Sequence, residues 1–585
     1  MDMAAPVNYV IFKFEVFKYD TLFGCIVVND NDGILIQTWD FDAIKSFWEC
    51  HSKDIWVGHN NVNYDNIILN SILKNKDPYI ISQKIASRNK VYCTLDITSY
   101  DTMRGQYSLD LPKLVVGKDI TDRSFNVDKQ LTKNEKSQIE AFNLTNLYQI
   151  RQDFTAQFDE FSIRFDIIKE FNLPMNALTI SSTSLAAEVL GAKAIDNIEE
   201  MYVKPQLPQN IILDHQEVID FYLNEDFRNK KSITVTLCGA EHTIAAGGIH
   251  AAQKKVHIDR AMYFDVSGYY NLVMINCGLL PRTMPEESRE RYISMYHEQL
   301  RLKKINPRKR AMYKVILLCV FGAMTNEHTD FYDPQHGSLV TILGELYLVD
   351  LLEKLEPYGT CIQSNTDGIV FEPYNWRDKN IIVKIVEEWE KRTGFVIKQD
   401  EIHNLWQRDV NNYCFDDNGT AVTKGEAVKH YNSYSNPIWN QAWSAKEPAI
   451  IAKGIVDYLL YNVTPEQTVE TNKHNLVLYQ YVCKLMSFDY MMLEKTDQSG
   501  LISRAKLQDI NRAFASNDNS SIKTIVKYKN ENGKTKHSRI PSLPANIFIA
   551  NGNITDARVI DGIVNKIDYQ YYIDRIYERL GEFVE

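Results

Sequence analysis

The sequence predicts a multidomain chain of α/β and α+β class. Three observations carry this. The 585 residues are enough for three or four domains at roughly 150 residues each. Strand-like and helix-like segments alternate from the N-terminus to about residue 175. In the middle of the chain a long apolar segment, SLVTILGELYLVDLLEKLE (338–356), leads into IQSNTDGIVFEP (362–373), a hairpin whose tip carries a lone carboxylate.

Taken in order, VNYVIFKFEVF and LFGCIVVND read as strands, being rich in β-branched and aromatic residues. NYDNIILNSIL has the apolar spacing of a helix, and EKSQIEAFNLTNLYQIRQDFTAQFDEF reads as one long helical stretch. SLAAEVLGA is helical, and the segment after it is strand-rich up to residue 260, with a glycine pair at Gly247 and Gly248. AMYFDVSGYYNLVMI begins as a strand and turns helical after its Asp. Residues 284–324 read as two helices broken at Asn306-Pro307, since proline starts helices but does not continue them. The segment 338–356 reads as an amphipathic helix. In the hairpin, Asn365-Thr366-Asp367-Gly368 supplies turn residues between two apolar runs. From about residue 430 the sequence reads as helical, with polar loops near 496–500 and 528–540.

Bulk properties narrow the function classes. A hydrophobic share of 44% with 24% charged residues is that of a soluble globular protein. No run of about 18 apolar residues occurs, so no membrane span is expected. The N-terminus lacks the basic region of a secretory signal. Nine scattered cysteines without a CxxC pair argue against zinc, iron–sulfur or disulfide frameworks and fit a reducing cytoplasm. The net charge of −11 is unfavourable for a nucleic-acid binder, but steering follows the local field. Two segments break the acidic trend: Arg301–Lys314, with seven Lys/Arg and no acid, and Lys523–Arg539.

Asp265 ends the strand YFDV, and Asp367 sits at the hairpin tip about 100 residues later. Two aspartates from adjacent strand ends can bind a pair of Mg²⁺ ions, which prefer oxygen ligands and leave room for phosphates. Between them lies the basic helical segment ending at Lys314, suited to binding phosphate groups.

These segments, in this order, resemble family B DNA polymerases of bacteriophage type. Asp265-VSGYYNL resembles motif A, Lys314-VILLCVFG resembles motif B, and QSNTDGI resembles motif C in its NTDG form. Arg408-DVNN-Tyr413 with Lys424-Gly425 resembles the region that holds the primer terminus. The resemblance covers nearly the whole chain. It implies that Asp265 and Asp367 hold two Mg²⁺ ions, for which Mn²⁺ can substitute. Tyr270 matches the residue beneath the incoming sugar, and Arg301, Lys304, Lys314 and Phe321 match nucleotide-binding positions of the fingers. Lys303 is an equal candidate to Lys304. Gly247, Gly248, Arg408, Tyr413 and Lys424 match DNA-binding positions. Departures stand at Gly268 for the motif A serine, Asn271 for proline, Leu318 and Cys319 for Asn-Ser of motif B, and Phe321 for its tyrosine.

The N-terminal third resembles the family's 3′–5′ exonuclease domain. FKFE keeps Glu15 of the first motif but has Lys13 in place of its first acid. GHNNVNYDN matches the second motif through Asn61 and Asp65, and Gln149-IRQ-Asp153 matches the third. The implied architecture is an RNase H-like exonuclease-like domain (1–175), a linker and N-terminal palm (176–260), palm with motif A (261–296), fingers (297–324), palm with motif C (325–430) and thumb (431–585). The implied activity is template-directed DNA synthesis from a primer 3′-OH, with exonuclease action impaired by Lys13. The implied partners are primer-template DNA, dNTPs and other replisome proteins, with no membrane partner, in the cytoplasm of a host cell. The alternative is a catalytically weakened protein of the same fold that binds primer-template DNA.

Overall fold

The computed structural model describes residues 8–29, 32–103, 108–121, 125–196, 198, 203–223, 232–245, 248–431, 446–531 and 533–584. The fold is the mixed α/β and α+β arrangement expected. Strands β1 (Tyr9–Val16), β2 (Thr21–Asn29) and β3 (Asp32–Thr38) form an antiparallel meander, followed by α1 (Phe41–His51). β4 (Ile55–Gly58) joins β1 in parallel. After α2 (Asp65–Leu73) and α3 (Pro78–Ala86), β5 (Ser99–Asp101) joins β4 in parallel, and α4 (Asp110–Val115) follows. The order β3-β2-β1-β4-β5, with β2 running against the rest, is RNase H-like.

The long stretch read as one helix divides at Gln157 into α5 (Lys133–Ala156) and α6 (Phe158–Glu170). A capping box between Thr132 and Glu135 starts α5. The helix lies close on the sheet because residue 24 is glycine. A Cβ there would stand 1.8 Å from Asn143 Oδ1, so any side chain would push α5 away.

The central unit follows α7 (Ser182–Leu190) and α8 (Gln216–Leu223). Strands β6 (Ser232–Leu237), β7 (Ala240–Ala245), β8 (Gly248–Ala252) and β9 (Val256–Val266) lead into α9 (Tyr269–Asn276), α10 (Glu286–Arg301) and α11 (Pro307–Ala323). The expected break holds: Asn306 caps α11, accepting from Lys309 N, and Pro307 is its first residue. Then come α12 (Pro334–Leu355), the hairpin β10 (Gly359–Asn365) and β11 (Gly368–Pro373), α13 (Lys379–Thr393), and β12 (Ile397–Asp409), β13 (Asn412–Asp417) and β14 (Thr420–Lys424). The sheet order is β14-β13-β12-β9-β11-β10-β8-β7-β6. α12 is buried on every side from Ile342 to Leu352 rather than amphipathic. It is the spine of the main core, which also takes in Trp389, Phe395 and the inner face of the sheet.

The C-terminal region departs from the helical reading. α14 (Ala449–Tyr461) and α15 (Pro465–Thr471) precede β15 (Tyr481–Lys484), β16 (Tyr490–Asp497), β17 (Ile502–Leu507), β18 (Ile510–Ala515), β19 (Ser521–Glu531), β20 (Lys534–Arg539) and β21 (Ile547–Ile549). Only α16 (Ala557–Val564) and α17 (Tyr569–Val584) close the chain as helices. The strands form two sheets, β15-β18-β21 and β17-β16-β19-β20. Alternation in SIKTIVKYKNE, with β-branched residues, overrides a helical period. The expected loop at 496–500 is the turn joining β16 to β17, but 528–540 is mostly paired strand.

Candidate active site

Asp265 is the penultimate residue of β9, and Asp367 stands at the tip between β10 and β11. The register pairs Asp265 with Gly368, and Val266 N donates to Asp367 O at 2.9 Å. The two acids therefore stand on adjacent strands at neighbouring positions. Asp367 is exposed and Asp265 half-buried. Partial desolvation, and then the Asp265 carboxylate, raise the Asp367 pKa, while Lys424 opposes the rise.

The tip that carries Asp367 is strained. Thr366 has φ +55°, unusual for a β-branched residue, and Asp367 N donates across it to Asn365 O at 2.5 Å. Neighbouring strand holds the turn in place: Thr366 N donates to Ile249 O at 3.2 Å, and Asn365 pairs with His250 of β8. Strain held by surrounding structure is typical of functional turns.

Beyond the acids, α9 begins at Gly268, whose φ of +65° favours glycine; this accounts for the missing serine. Asn271, another departure, is buried and accepts from Tyr292 Oη at 3.0 Å, tying α9 to α10. Tyr270 stacks on Phe321 of α11, ring centroids 3.9 Å apart and planes 15° apart. Burial, and then Asp367, push the Tyr270 hydroxyl up to about 12. Tyr413 and Lys424 pair across β13 and β14, with the Lys424 ammonium 5.8 Å from the Tyr413 ring centre. The Tyr413 pKa is raised by burial and by both aspartates. Two groups that the sequence reading did not single out join this face: Tyr263, whose hydroxyl burial and Asp265 raise, and Lys398, paired with Asp265 across β12. Strand parity is the signal that could have found Tyr263, two residues before Asp265.

The basic residues sort into different roles. Lys314 is exposed on α11, two turns before Phe321 and so on the same helical side. Arg310 lies one turn earlier, its Nε buried with no hydrogen-bond partner among the described residues. Arg301 ends α10 and is held by Glu298 at 2.7 Å; Lys304 is exposed in the turn after it. Arg308 and Lys309 pair with Asp166 and Glu170 of α6, fastening α11 to the N-terminal domain. Arg408 is engaged by Asp409 at 2.7 Å and by Glu582 of α17. Gly248 has φ +148°, and a Cβ there would approach His250 Nε2 to 3.0 Å. Gly247 lies outside the described residues.

In the N-terminal domain the structure gathers Lys13, Glu15 and Asp65, but not Asp153. Lys13 Nζ lies 3.3 Å from Asp65 Oδ2, and Phe14 N donates to Asp65 Oδ1 at 2.8 Å, where β4 no longer covers β1. Burial works against the Lys13 charge, yet Asp65 and Glu15 hold its pKa above the usual lysine value. Glu15 accepts from Asn143 and Asn146 of α5, each at 3.4 Å. Lys113 is also buried and donates to Asn146 Oδ1 at 3.1 Å. Burial and these two lysines lower the His59 pKa to about 3.

Asp153 lies about 10 Å further along α5 than Asn146, seven residues at the helical rise. It accepts from Gln149 at 2.8 Å, and burial raises its pKa to about 6. The expected third acid is therefore a buried structural carboxyl, and Asn146 stands beside Glu15 instead. Phe142-NLT-Asn146 has the same aromatic-then-four spacing with an amide for the acid, and an acid-only reading passes over it. Asn61 turns onto the chain at Gly58 and donates to Asn66 Oδ1 at 3.2 Å, shaping the entry to α2 rather than meeting Lys13.

The two carboxylate groups differ in what they fit. Asp265 and Asp367 offer hard oxygen donors, and burial and Asp265 raise the Asp367 pKa despite Lys424, which suits Mg²⁺ held by one or two carboxylates with water and phosphate completing the shell. Glu15 and Asp65 already face the Lys13 ammonium and do not fit a divalent ion. Among the described residues no group of three His, Cys, Asp or Glu side chains is placed to hold a metal, and no helix is long and apolar enough to cross a membrane.

No protein-family profile and no curated protein matches the sequence. Among solved structures, the family B DNA polymerase from the hyperthermophilic archaeon Pyrobaculum calidifontis is similar at 12% identity and a TM-score of 0.47, covering 100% of this chain and 79% of that one.

Proposed function

We propose that the chain is a template-directed DNA polymerase of family B, phage type, extending a primer 3′-OH with dNTPs and lacking effective 3′–5′ exonuclease action. The observation that supports it most is the convergence of Asp265 and Asp367 beside the Tyr270–Phe321 stack and the Tyr413–Lys424 pair. Two Mg²⁺ ions, held by Asp265 and Asp367, would supply charge stabilisation for phosphoryl transfer. The chain's own residues select and position. Lys314 binds the triphosphate by charge-assisted contacts. The Tyr270 ring, braced by Phe321, lies under the incoming sugar and excludes a 2′-hydroxyl. Tyr413 and Lys424 hold the primer end beside the acids. The bond formed joins the primer 3′-oxygen to the α-phosphorus, and the bond broken releases pyrophosphate.

Primer extension with Mg²⁺ and dNTPs tests this. Activity in the chain as it stands, lost in Asp265→Asn and in Asp367→Asn with primer-template binding kept, is the expected result. Absence of extension with tight primer-template binding would favour the weakened, DNA-binding alternative. Normal extension by Asp367→Asn would overturn the assignment.

A further inference from the structure

We propose that the outer face of the β17-β16-β19-β20 sheet binds single-stranded nucleic acid, a site separate from Asp265 and Asp367. The basic stretch Lys523–Arg539 lies in β19 and β20 of this sheet, and the register sorts its residues. Lys523 pairs with Asp518, and Lys529 and Lys536 pair with Glu531, so these charges are already answered. No ion pair engages Arg539 or Lys506 among the described residues.

The register defines one face. Tyr490 pairs with Tyr528, which pairs with His537. In the next row Lys506, Met492, Val526 and Arg539 lie side by side across four strands, and beyond them Arg504 pairs with Glu494. Tyr490 and Tyr528 are stacked at 5.0 Å with planes 7° apart, and His537 follows at 6.0 Å. The cations thus sit on the two edge strands, with Tyr490, Met492, Tyr528 and the buried Val526 on the strands between them and His537 on β20 beside Arg539. Three interstrand spacings make the span about 14 Å. The opposite face is closed, since Met491 and Ile525 are buried in the C-terminal core.

Charge and shape select the occupant. The one carboxylate on this face, Glu494, accepts from Arg504 Nε and Tyr528 Oη, both at 2.7 Å, and these contacts keep its pKa low despite burial. Arg504, Lys506 and Arg539 therefore leave the face cationic on a chain whose net charge is −11. Cationic rims about an aromatic floor suit a backbone of phosphates carrying flat bases. Unpaired bases present their ring faces to tyrosine and histidine, whereas a duplex keeps them stacked inside.

The test is fluorescence anisotropy of the full chain with a labelled 12-nucleotide oligo-dT, and with a hairpin duplex of equal length, in chelating buffer. Chelation stops turnover, so the result does not depend on the polymerase reading. Lys506→Ser with Arg539→Ser is expected to weaken oligo-dT binding at least tenfold and to reduce the salt slope by roughly 1.4, about 0.7 per lost cation. Tyr490→Leu with His537→Leu is expected to weaken it severalfold without changing that slope. Melting curves check folding, and Lys506→Ser alone, on an exposed edge strand, serves where a double variant unfolds. Unchanged oligo-dT affinity overturns the proposal. So does equal loss of duplex binding, which would make the face a duplex track, or displacement by polyglutamate with the ring variants silent, which would make it an acidic-peptide site.

Discussion

Replacing Lys13 with Asp asks whether the N-terminal carboxylates have exchanged a bound cation for built-in ones. The Lys13 ammonium lies 3.3 Å from the fully buried Asp65 carboxylate. Breaking a buried pair of this kind costs about 3–5 kcal/mol. The new carboxylate adds repulsion against Asp65, on the order of 4 kcal/mol at 4 Å and an effective dielectric of 20. In chelating buffer at pH 7.5 the N-terminal domain of Lys13→Asp should therefore lose at least about 3 kcal/mol, visible as an earlier melting step. Mg²⁺ should restore part of that loss, because the site would then fit a divalent ion. Degradation of a single-stranded 3′ end should stay near background in Lys13→Asp, since Asn146 gives an amide where another acid is needed and Lys113 still holds it. It should appear only when Asn146→Asp is added. Full nuclease action in the unmodified chain, abolished by Asp153→Ala, would refute the reasoning, as would an unchanged melting profile of Lys13→Asp.

Three further outcomes are expected. Tyr270→Ala should raise ribonucleotide incorporation more than it lowers dNTP affinity, measured by single-nucleotide insertion; unchanged discrimination would leave Tyr270 as packing for Phe321. Lys314→Ala should raise the apparent dNTP KM by about tenfold, the worth of a charge-assisted phosphate contact, with DNA affinity kept, while Arg301→Ala, whose partner is Glu298, should change it less. Asp153→Asn should stabilise the N-terminal domain at pH 8 and do little at pH 3.5. The native carboxyl binds its proton more tightly than the unfolded one, so its stabilising contribution is present below the unfolded pKa and is lost as pH rises through about 6, up to about 3 kcal/mol. Denaturant melts at the two pH values check it, and stabilisation equal at both would count against a buried, raised Asp153.

Sequence legibility followed the range of the interactions. Helix breaks and turns are local, so Asn306-Pro307 and the NTDG hairpin appear where the residues put them. Asp265 and Asp367 can be joined because one stands near the end of a strand and the other at a hairpin tip, both with strong local pattern. The strands between 481 and 549 were hidden because polar alternation on an outer sheet face looks like a solvated helix when the partner strand is unknown. α12 reads as amphipathic in sequence because burial on its polar side depends on distant groups, such as Arg392 pairing with Asp350. Asp153 misled for the same reason. Its spacing on α5 was compatible with the site, but only the closeness of the helix to Gly24 fixes that Asn143 and Asn146, not Asp153, meet Glu15.

The two carboxylate groups meet one electrostatic problem in opposite ways. Acids brought together in a partly desolvated place repel each other, and something positive must answer them. At Glu15 and Asp65 the answer is covalently part of the chain: Lys13 contacts Asp65, and Lys113 holds the amide that faces Glu15. Lys13 is present at all times, so although burial and Asp65 raise the Glu15 pKa, a metal would have to compete there with a tethered ammonium. At Asp265 and Asp367, Lys424 opposes the rise at Asp367, Lys398 pairs with Asp265 across the strands but is itself occupied by Asp400, and the Asp367 pKa remains raised. A carboxylate pair left short of charge favours whatever brings cations, including the metal that accompanies a nucleotide triphosphate. On this reasoning the same chelator that stops extension should leave the melting of the N-terminal domain unmoved, because only one of the two sites was built to wait for an ion.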